Sequence, residues 1–258
     1  MNGLLYLIRH GATDNNEANP PRLQGRRTDP GLSKAGLAQA VRTARWLAEQ
    51  GVDAVYSSPL LRARQTAEQI AYYSSPRPLG EGQGVRAASA LQDSPLRAPT
   101  EGRSGEGPRL QDSPLPLGEG PGVRALTVQL VDDLIEIDVG RWEGLAWEEI
   151  KRRDPEAYRL FMADASVHPY LDGENLSTVL SRTIPAMARL MAANLGRRVA
   201  VVAHNVVNRA YLAHLLDIPL RNYRSIPQDN CGVNVIRYEH GTAKLVTINA
   251  VWHLCRSY

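Results

Sequence analysis

Short apolar runs that stop abruptly at polar or charged residues set the rhythm of this chain. Leu4-Leu5-Tyr6-Leu7-Ile8 stops at Arg9-His10-Gly11, Val52 to Tyr56 stops at Ser57-Ser58-Pro59, and Val199 to Ala203 stops at His204-Asn205. Runs of this length predict strands buried on both faces, the kind found in parallel sheets. Helical periods lie between them. Leu37, Val41, Ala44 and Leu47 or Ala48 recur at helical spacing behind Ser33, a good N-cap, and Gly51 closes that helix just past Gln50. Ser58 followed by Pro59 predicts a second helix start, which puts Arg62 in the first turn, at the positive end of the helix dipole. Further helical patterns cover residues 147–153, 155–163, 175–194 and 206–216. Leu126 to Val131 reads as another strand, and Cys231–Glu239 with Ala243–Ala250, flanking Gly241, as a closing hairpin.

One segment breaks the pattern. From Ser75 to Ala125, 17 of 51 residues are glycine or proline, eight prolines and nine glycines. Ser75 to Ala87 returns, nearly unchanged, as Ser113 to Ala125, and Leu91-Gln-Asp-Ser-Pro-Leu96 returns as Leu110 to Leu115, which gives a period of 19 residues. A solenoid unit needs an apolar face to stack on its neighbour, and these units have almost none. Too little surface is available to offset the entropy of ordering, so residues 75–125 are expected to be a disordered insertion in a single domain spanning 1–258.

Composition narrows the classes of function. Of the 258 residues, 43% are hydrophobic and 22% charged, and the net charge is +3. That mild balance without a basic run argues against nucleic acid as a partner and suits an anionic small molecule. No apolar stretch is long enough to span a bilayer. No signal peptide is apparent. Cys231 and Cys255 form no metal-ligand spacing and no disulfide framework, and read as reduced thiols of a cytoplasmic protein.

In open α/β sheets, ligands lie beyond the carboxyl ends of the strands, where Arg9 and His10 fall. Gly11 lets the backbone turn there, and Thr13 and Asn16 add short hydrogen-bonding side chains to the same loop. Arg-His-Gly followed by Thr13 resembles the first motif of the histidine phosphatase superfamily, the phosphoglycerate mutase-like family. Arg22, Gly25, Asp29, Leu32, Ser33 and Gly36 match a following family stretch. Ser58 to Ala67 matches the family's Ser-Pro-Leu-x-Arg-Ala-x-Gln-Thr-Ala at every fixed position. Glu136, four residues before Gly140 and just ahead of Trp142-Glu143-Gly144, resembles the third motif. Asp138 and Glu143 rival Glu136 on chemistry alone. Trp142 and Trp147 are candidates for either pocket wall or core. Gly173-Glu174 with Arg182 resembles a Gly-Glu-Ser segment in which Asn175 replaces the serine. Asn205 stands where relatives carry glycine after the second histidine.

The resemblance implies a three-layer α/β sandwich, with helices on both faces of a mostly parallel sheet. It implies His10 as nucleophile, Glu136 as proton donor and His204 as a catalytic partner. Arg9, Arg62, Thr13, Asn16 and Asn205 would bind phosphate, and Arg22, Gln24 and Gly25 would line the substrate pocket, with no metal and no cofactor. The implied activity is hydrolysis of a small phosphorylated metabolite through a phosphohistidine. A cofactor-dependent phosphoglycerate mutase shares the same motifs and stays open. Its carboxylate-binding arginine pair has no clear counterpart, since Arg152-Arg153 sit beside Lys151 on a charged face and only Arg22, Arg26 and Arg27 offer other charge. A non-catalytic phospholigand-binding protein on the same fold is a third reading.

Overall fold

The structure is a computed structural model and describes residues 3–75, 125–239 and 242–255. Its strands are β1 (Gly3–Arg9), β2 (Ala54–Ser57), β3 (Val128–Leu130), β4 (Arg198–Ala203), β5 (Val233–Glu239) and β6 (Thr242–Ala250). Its helices are α1 (Asp14–Glu17), α2 (Lys34–Glu49), α3 (Leu61–Ser74), α4 (Trp147–Arg153), α5 (Pro155–Ala163), α6 (Leu176–Ala192) and α7 (Asn205–Leu215). The strands form a single sheet in the order β3-β2-β4-β1-β5-β6. β3, β2, β4 and β1 run parallel, while β5 is antiparallel to both β1 and β6.

The apolar runs fill both faces of this sheet, because successive strand side chains point to opposite sides. Leu5, Leu7, Val199 and Val201 pack in one cluster with Met187 and Leu190 of α6 and Val207 and Leu212 of α7. Tyr6, Ile8, Ala200 and Val202 pack in another with Ala44 and Leu47 of α2 and Ala67 and Ile70 of α3. The result is a mixed α/β sheet with a helical layer on each face.

Element types agree with the sequence pattern, and several details differ. In α2 the buried stripe runs through Gly36, Ala40, Thr43, Ala44 and Leu47, leaving Leu37 and Val41 only half-buried. Small residues form this stripe because α2 packs closely on α3, whose Ala63 and Ala67 share its cluster. Ser33 caps α2 as expected, accepting from Gly36 N–H at 3.0 Å. α3 begins at Leu61 rather than next to Ser58. Asp29, 32 residues upstream, caps it by accepting from Leu61 N–H at 2.7 Å. Asn175 caps α6 by accepting from Thr178 N–H at 2.8 Å, the task a serine would perform there.

The missing Cβ of Gly11 is needed against protein. A Cβ there would lie 2.5 Å from Gly36 O, and one on Gly36 would run into Ala12. The loop after β1 is thereby clamped between helices. Gly11 N–H donates to Thr66 Oγ1 at 3.1 Å, and Ala12 N–H to Gln39 Oε1 at 2.9 Å.

Residues 76–124 and 240–241 lie outside the described residues, and the expectation of disorder in the repeat segment falls on the first of these stretches. The flanks of that segment nevertheless meet, with Leu126 N–H donating to Ser75 Oγ at 2.8 Å. Replacing residues 77–123 with about five flexible residues should therefore leave the melting temperature unchanged, or raise it slightly. Shortening the closure about tenfold is worth at most about 2 kcal/mol. Calorimetry checks this, and a fall of more than about 5 °C would show that the segment stabilises the domain. Gly36→Ala should cost about 1–3 kcal/mol, read from denaturant melts, because backbone cannot yield to the new methyl.

Candidate active site

The ends of β2, β4 and β1 converge because β4 lies between the other two. In register, Arg9 pairs with Ala203 and Ser57 with Val202. The next residues, His10, His204 and Ser58, consequently leave the sheet side by side. His10 N–H donates to Ala203 O at 3.1 Å and Ser58 N–H to Val202 O at 2.9 Å, so the ladder holds to that point. The imidazole centroids of His10 and His204 are 5.2 Å apart. Ser58 Oγ bonds His204 Nε2 at 2.7 Å.

His10 is buried, with Nδ1 2.7 Å from Gly11 O. A carbonyl only accepts, so the network assigns the proton to Nδ1 and leaves a lone pair on Nε2. Arg62 Nε donates to that Nε2 at 3.3 Å. Burial, then the charges of Arg62 and Arg9, hold His10 well below the ordinary histidine pKa, and burial with Arg62 does the same to His204. Both imidazoles are neutral at pH 7.

Arg62 is fully enclosed. Its Nη2 donates to Gly25 O at 2.8 Å, and its Nη1 lies 3.8 Å from Asp29 Oδ1. Gln24 completes the cage. With its amide nitrogen toward Thr13 Oγ1 at 2.7 Å, its oxygen accepts from Arg62 Nε at 2.7 Å and Nη1 at 3.0 Å. Arg9 is held by Nη1 donating to Gln228 O at 2.6 Å. Burial lowers the Arg9 pKa to about 10, opposed by Glu136, so the group stays charged at neutral pH.

Glu136 is almost fully buried. Its Oε1 accepts from Ile137 N–H at 2.9 Å, and its Oε2 from Val206 N–H at 3.2 Å, in the first turn of α7. Burial raises its pKa above the usual carboxylate range, against the pull of Ile137 N–H and Arg62. Arg182 fastens the backbone behind it, donating to Asp133 O at 2.6 Å and Glu136 O at 3.3 Å.

Arg9, His10, Gln24 and Glu136 border a cleft of about 420 Å³, whereas Arg62 and His204 are fully buried behind its wall. Arg9, His10, Asn16, Arg22, Gln24, Glu136 and Asn205 line it. Thr13 and Gly25 lie behind the wall instead, Thr13 fully buried against Gln24 and Asn16 and Gly25 holding Arg62. The rival carboxylates point elsewhere. Asp138 pairs with Arg27 at 2.7 Å and Arg26 at 3.5 Å, and Glu143 accepts from Gly25 N–H at 2.8 Å and Thr28 Oγ1 at 2.7 Å. Arg26 and Arg27 are thus tied to carboxylates, and Arg152 and Arg153 are exposed on α4. Trp142 is core, with Nε1 donating to Asp154 Oδ2 at 3.0 Å, whereas Trp147 lines the cleft.

Several contributors escaped the sequence reading. Asn230 Nδ2 donates to His10 O at 3.0 Å, and Cys231 N–H to Arg9 O at 3.0 Å, so the loop ahead of β5 braces the first motif. Tyr170, Arg209, Tyr223 and Arg224 also line the cleft. Arg209 was within reach of spacing, since it follows Asn205 by four residues on one helix. Ser58 was within reach of the strand-end rule that found His10. Both cysteines are free, Cys231 buried and Cys255 exposed. Among the described residues no group of three or more His, Cys, Asp or Glu side chains is placed to hold a metal ion, and no helix is long and apolar enough to cross a membrane.

Comparison with known proteins gives concordant matches. The sequence model of the histidine phosphatase superfamily (branch 1) matches residues 5–79 and 77–251. Phosphoserine phosphatase 1 of Hydrogenobacter thermophilus is 27% identical over 254 residues, 98% of this chain and 95% of that protein. Glucosyl-3-phosphoglycerate phosphatase of Mycobacterium tuberculosis is 27% identical over 230 residues, 86% of this chain and 79% of that protein. The solved phosphoserine phosphatase of Entamoeba histolytica, in complex with 3-phosphoglyceric acid, shares the fold with a TM-score of 0.70 at 23% identity, covering 98% of this chain and 99% of that one.

The two depressed histidines make stability depend on pH. Unfolded, each titrates near the ordinary value of about 6.5, whereas folded each resists protonation. The unfolded chain therefore binds more protons as pH falls below about 6.5, and stability present above that value is lost. The melting temperature should drop between about pH 7.5 and 5.5, and His204→Gln should flatten the dependence. An unaltered slope in that variant would show that His204 is not a buried neutral base.

Proposed function

The chain belongs to the histidine phosphatase superfamily, and from that membership we propose a phosphomonoesterase that acts on a small phosphorylated metabolite through phospho-His10. The observation that carries this reading is the state of His10: a neutral imidazole, its Nδ1–H on Gly11 O and its Nε2 lone pair beside the Arg62 guanidinium. Arg9, on the cleft, would hold phosphoryl oxygens with a permanently charged fork, while Arg62, enclosed with its donors on Gly25 O, Gln24 and His10 Nε2, would add positive charge and reach the phosphate by giving up one of those bonds. His204 and the first turn of α7 would supply further donors, where a helix N-terminus favours an anion.

Among the described residues, Arg9 Nε, His204 Nδ1 and Asn205 Oδ1 are buried without hydrogen-bond partners. Such groups are costly to leave unmet, and a bound phosphoryl group supplies partners for the two ring and guanidinium nitrogens. In the first step His10 Nε2 forms the bond to phosphorus while the bond to the leaving oxygen breaks. Glu136 gives its proton to that oxygen. The positive charge gained by the ring is eased by Gly11 O on Nδ1. In the second step water attacks phosphorus, the nitrogen–phosphorus bond breaks, and Glu136 carboxylate takes the water's proton. A carboxyl whose pKa is raised by burial is suited to the first of these tasks.

Relatives that are phosphatases of phosphoserine and glucosyl-3-phosphoglycerate support hydrolysis, and Arg152 and Arg153, the pair weighed as a mutase's carboxylate site, are exposed on α4 and do not line the cleft. The unpaired cysteines support a reducing, cytoplasmic setting.

His10→Ala should lower p-nitrophenyl phosphate hydrolysis about a thousandfold or more. Glu136→Gln should cost about 10²–10⁴-fold on an alkyl phosphate, and far less on p-nitrophenyl phosphate, whose leaving group needs no proton. Rapid acid-free quench of Glu136→Gln should reveal an alkali-stable, acid-labile phosphoenzyme. Full activity in His10→Ala would overturn the mechanism.

A further inference from the structure

Two arginines on the cleft wall take no part in the phosphoryl chemistry. Arg209 lies on α7, and Arg224 in the 3-10 helix Leu220–Ser225. Among the described residues Arg209 Nε and Arg224 Nη2 are buried without a hydrogen-bond partner, and no ion pair joins either guanidinium to a carboxylate. Arg224 is held rigidly, its guanidinium carbon 4.9 Å from the Tyr223 ring centroid, 5.0 Å from Phe161 and 5.5 Å from Trp147. Burial lowers the Arg209 pKa, the Tyr223 phenol opposes that, and the Arg224 charge lowers it further. Two like charges on the wall of one cleft, partly out of water, repel each other. Around them lie the phenols of Tyr170 and Tyr223 and the Glu136 carboxylate, which acts on Arg209 without forming an ion pair, while Glu148, lining the same cleft, is exposed and bonded to neither. Arg209 Nε and Arg224 Nη2 lack partners of their own, and an anionic group of the ligand would supply them.

We propose that Arg209 and Arg224 form a second anion subsite that receives a carboxylate, making the substrates short phosphorylated carboxylic acids. This rests on the phosphatase reading above. Four residues of helix rise separate Arg209 from Asn205, about 6 Å. One helical turn therefore separates the two positions, so a substrate carrying its second anion a few bonds from the phosphate can reach both. The fork of a guanidinium fits a planar carboxylate with two parallel hydrogen bonds. A second phosphate shares this chemistry, and the choice of substrates below separates the two.

The test compares kcat/KM for 3-phosphoglycerate and glycerol 3-phosphate, which are equally long and differ in a carboxylate against a hydroxymethyl group. Fructose 1,6-bisphosphate serves as the second-phosphate arm and p-nitrophenyl phosphate as the reporter of phosphatase chemistry. Wild type should favour 3-phosphoglycerate over glycerol 3-phosphate by about tenfold or more, as expected for charge-assisted hydrogen bonds. Arg209→Met should bring that ratio close to one, chiefly by raising KM for 3-phosphoglycerate, and Arg209→Lys should restore part of it. Arg209→Gln serves in place of the methionine variant should that chain fail to fold. Arg224→Met should act in the same direction. A ratio near one in wild type, or a ratio that survives both arginine substitutions, overturns the subsite, while p-nitrophenyl phosphate turnover shows that the phosphatase reading still stands. A larger, arginine-dependent preference for the bisphosphate overturns the carboxylate assignment. Wild type that releases phosphate from none of the substrates overturns both readings together.

Discussion

A permanently charged side chain with no exposed surface sits at the centre of this molecule, and its neighbours are arranged to accommodate it. Arg62 is enclosed in the first turn of α3, and its nearest carboxylate, Asp29, is 3.8 Å away and 42% exposed on its side chain. Burying a guanidinium is costly unless its donors are met, and a partner at the protein surface offsets little of that cost. Gly25 O, Gln24 and His10 Nε2 meet the donors instead. The loop carrying Gly25 is in turn fixed by Glu143, and Gln24 by Thr13. The pocket wall is thus assembled outward from one cation.

Sheet order supplies the second constraint. Because β4 lies between β2 and β1, the residues that follow these strands are neighbours although the chain separates them by up to 194 positions, from His10 to His204. No loop has to reach for the other. Parallel register alone delivers two imidazoles and a serine hydroxyl to one point, at the switch between strands where open α/β sheets bind ligands. The turn of α7 then begins at once, so Val206 N–H can hold Glu136 from the opposite side.

Whatever follows directly from a strand end or a local spacing was legible in the sequence. The apolar runs gave β1 and β4, and with them the placement of Arg9, His10 and His204. Motif position separated Glu136 from Asp138 and Glu143, which composition could not do. Side chains recruited across the fold were not legible. Asp29 caps a helix 32 residues away, and this displaced the expected start at Ser58 and freed that hydroxyl for His204. Asn230 and Gln228 act from a loop with no periodic signal. Thr13 and Gly25 carried the right kind of group in the right loop, but whether such a residue faces ligand or protein depends on how α2 and α3 close over it.

One physical cause acts in opposite senses on the two groups proposed to move protons and phosphorus. Burial penalises whichever form carries charge, so it lowers the basicity of His10 and raises the affinity of Glu136 for a proton. Burial thus favours the neutral imidazole of His10 and the protonated carboxyl of Glu136 together, in one cleft. Arg62 and Arg9 strengthen the first effect, and Arg62 and Arg182 weaken the second, since positive charge repels a proton from His10 and stabilises the Glu136 carboxylate. A phosphoryl dianion between them would reverse both influences. It would reduce the repulsion at His10 and hold the proton on Glu136 until the leaving oxygen needs it. Substrate binding and readiness for the chemical step are on this account the same electrostatic event.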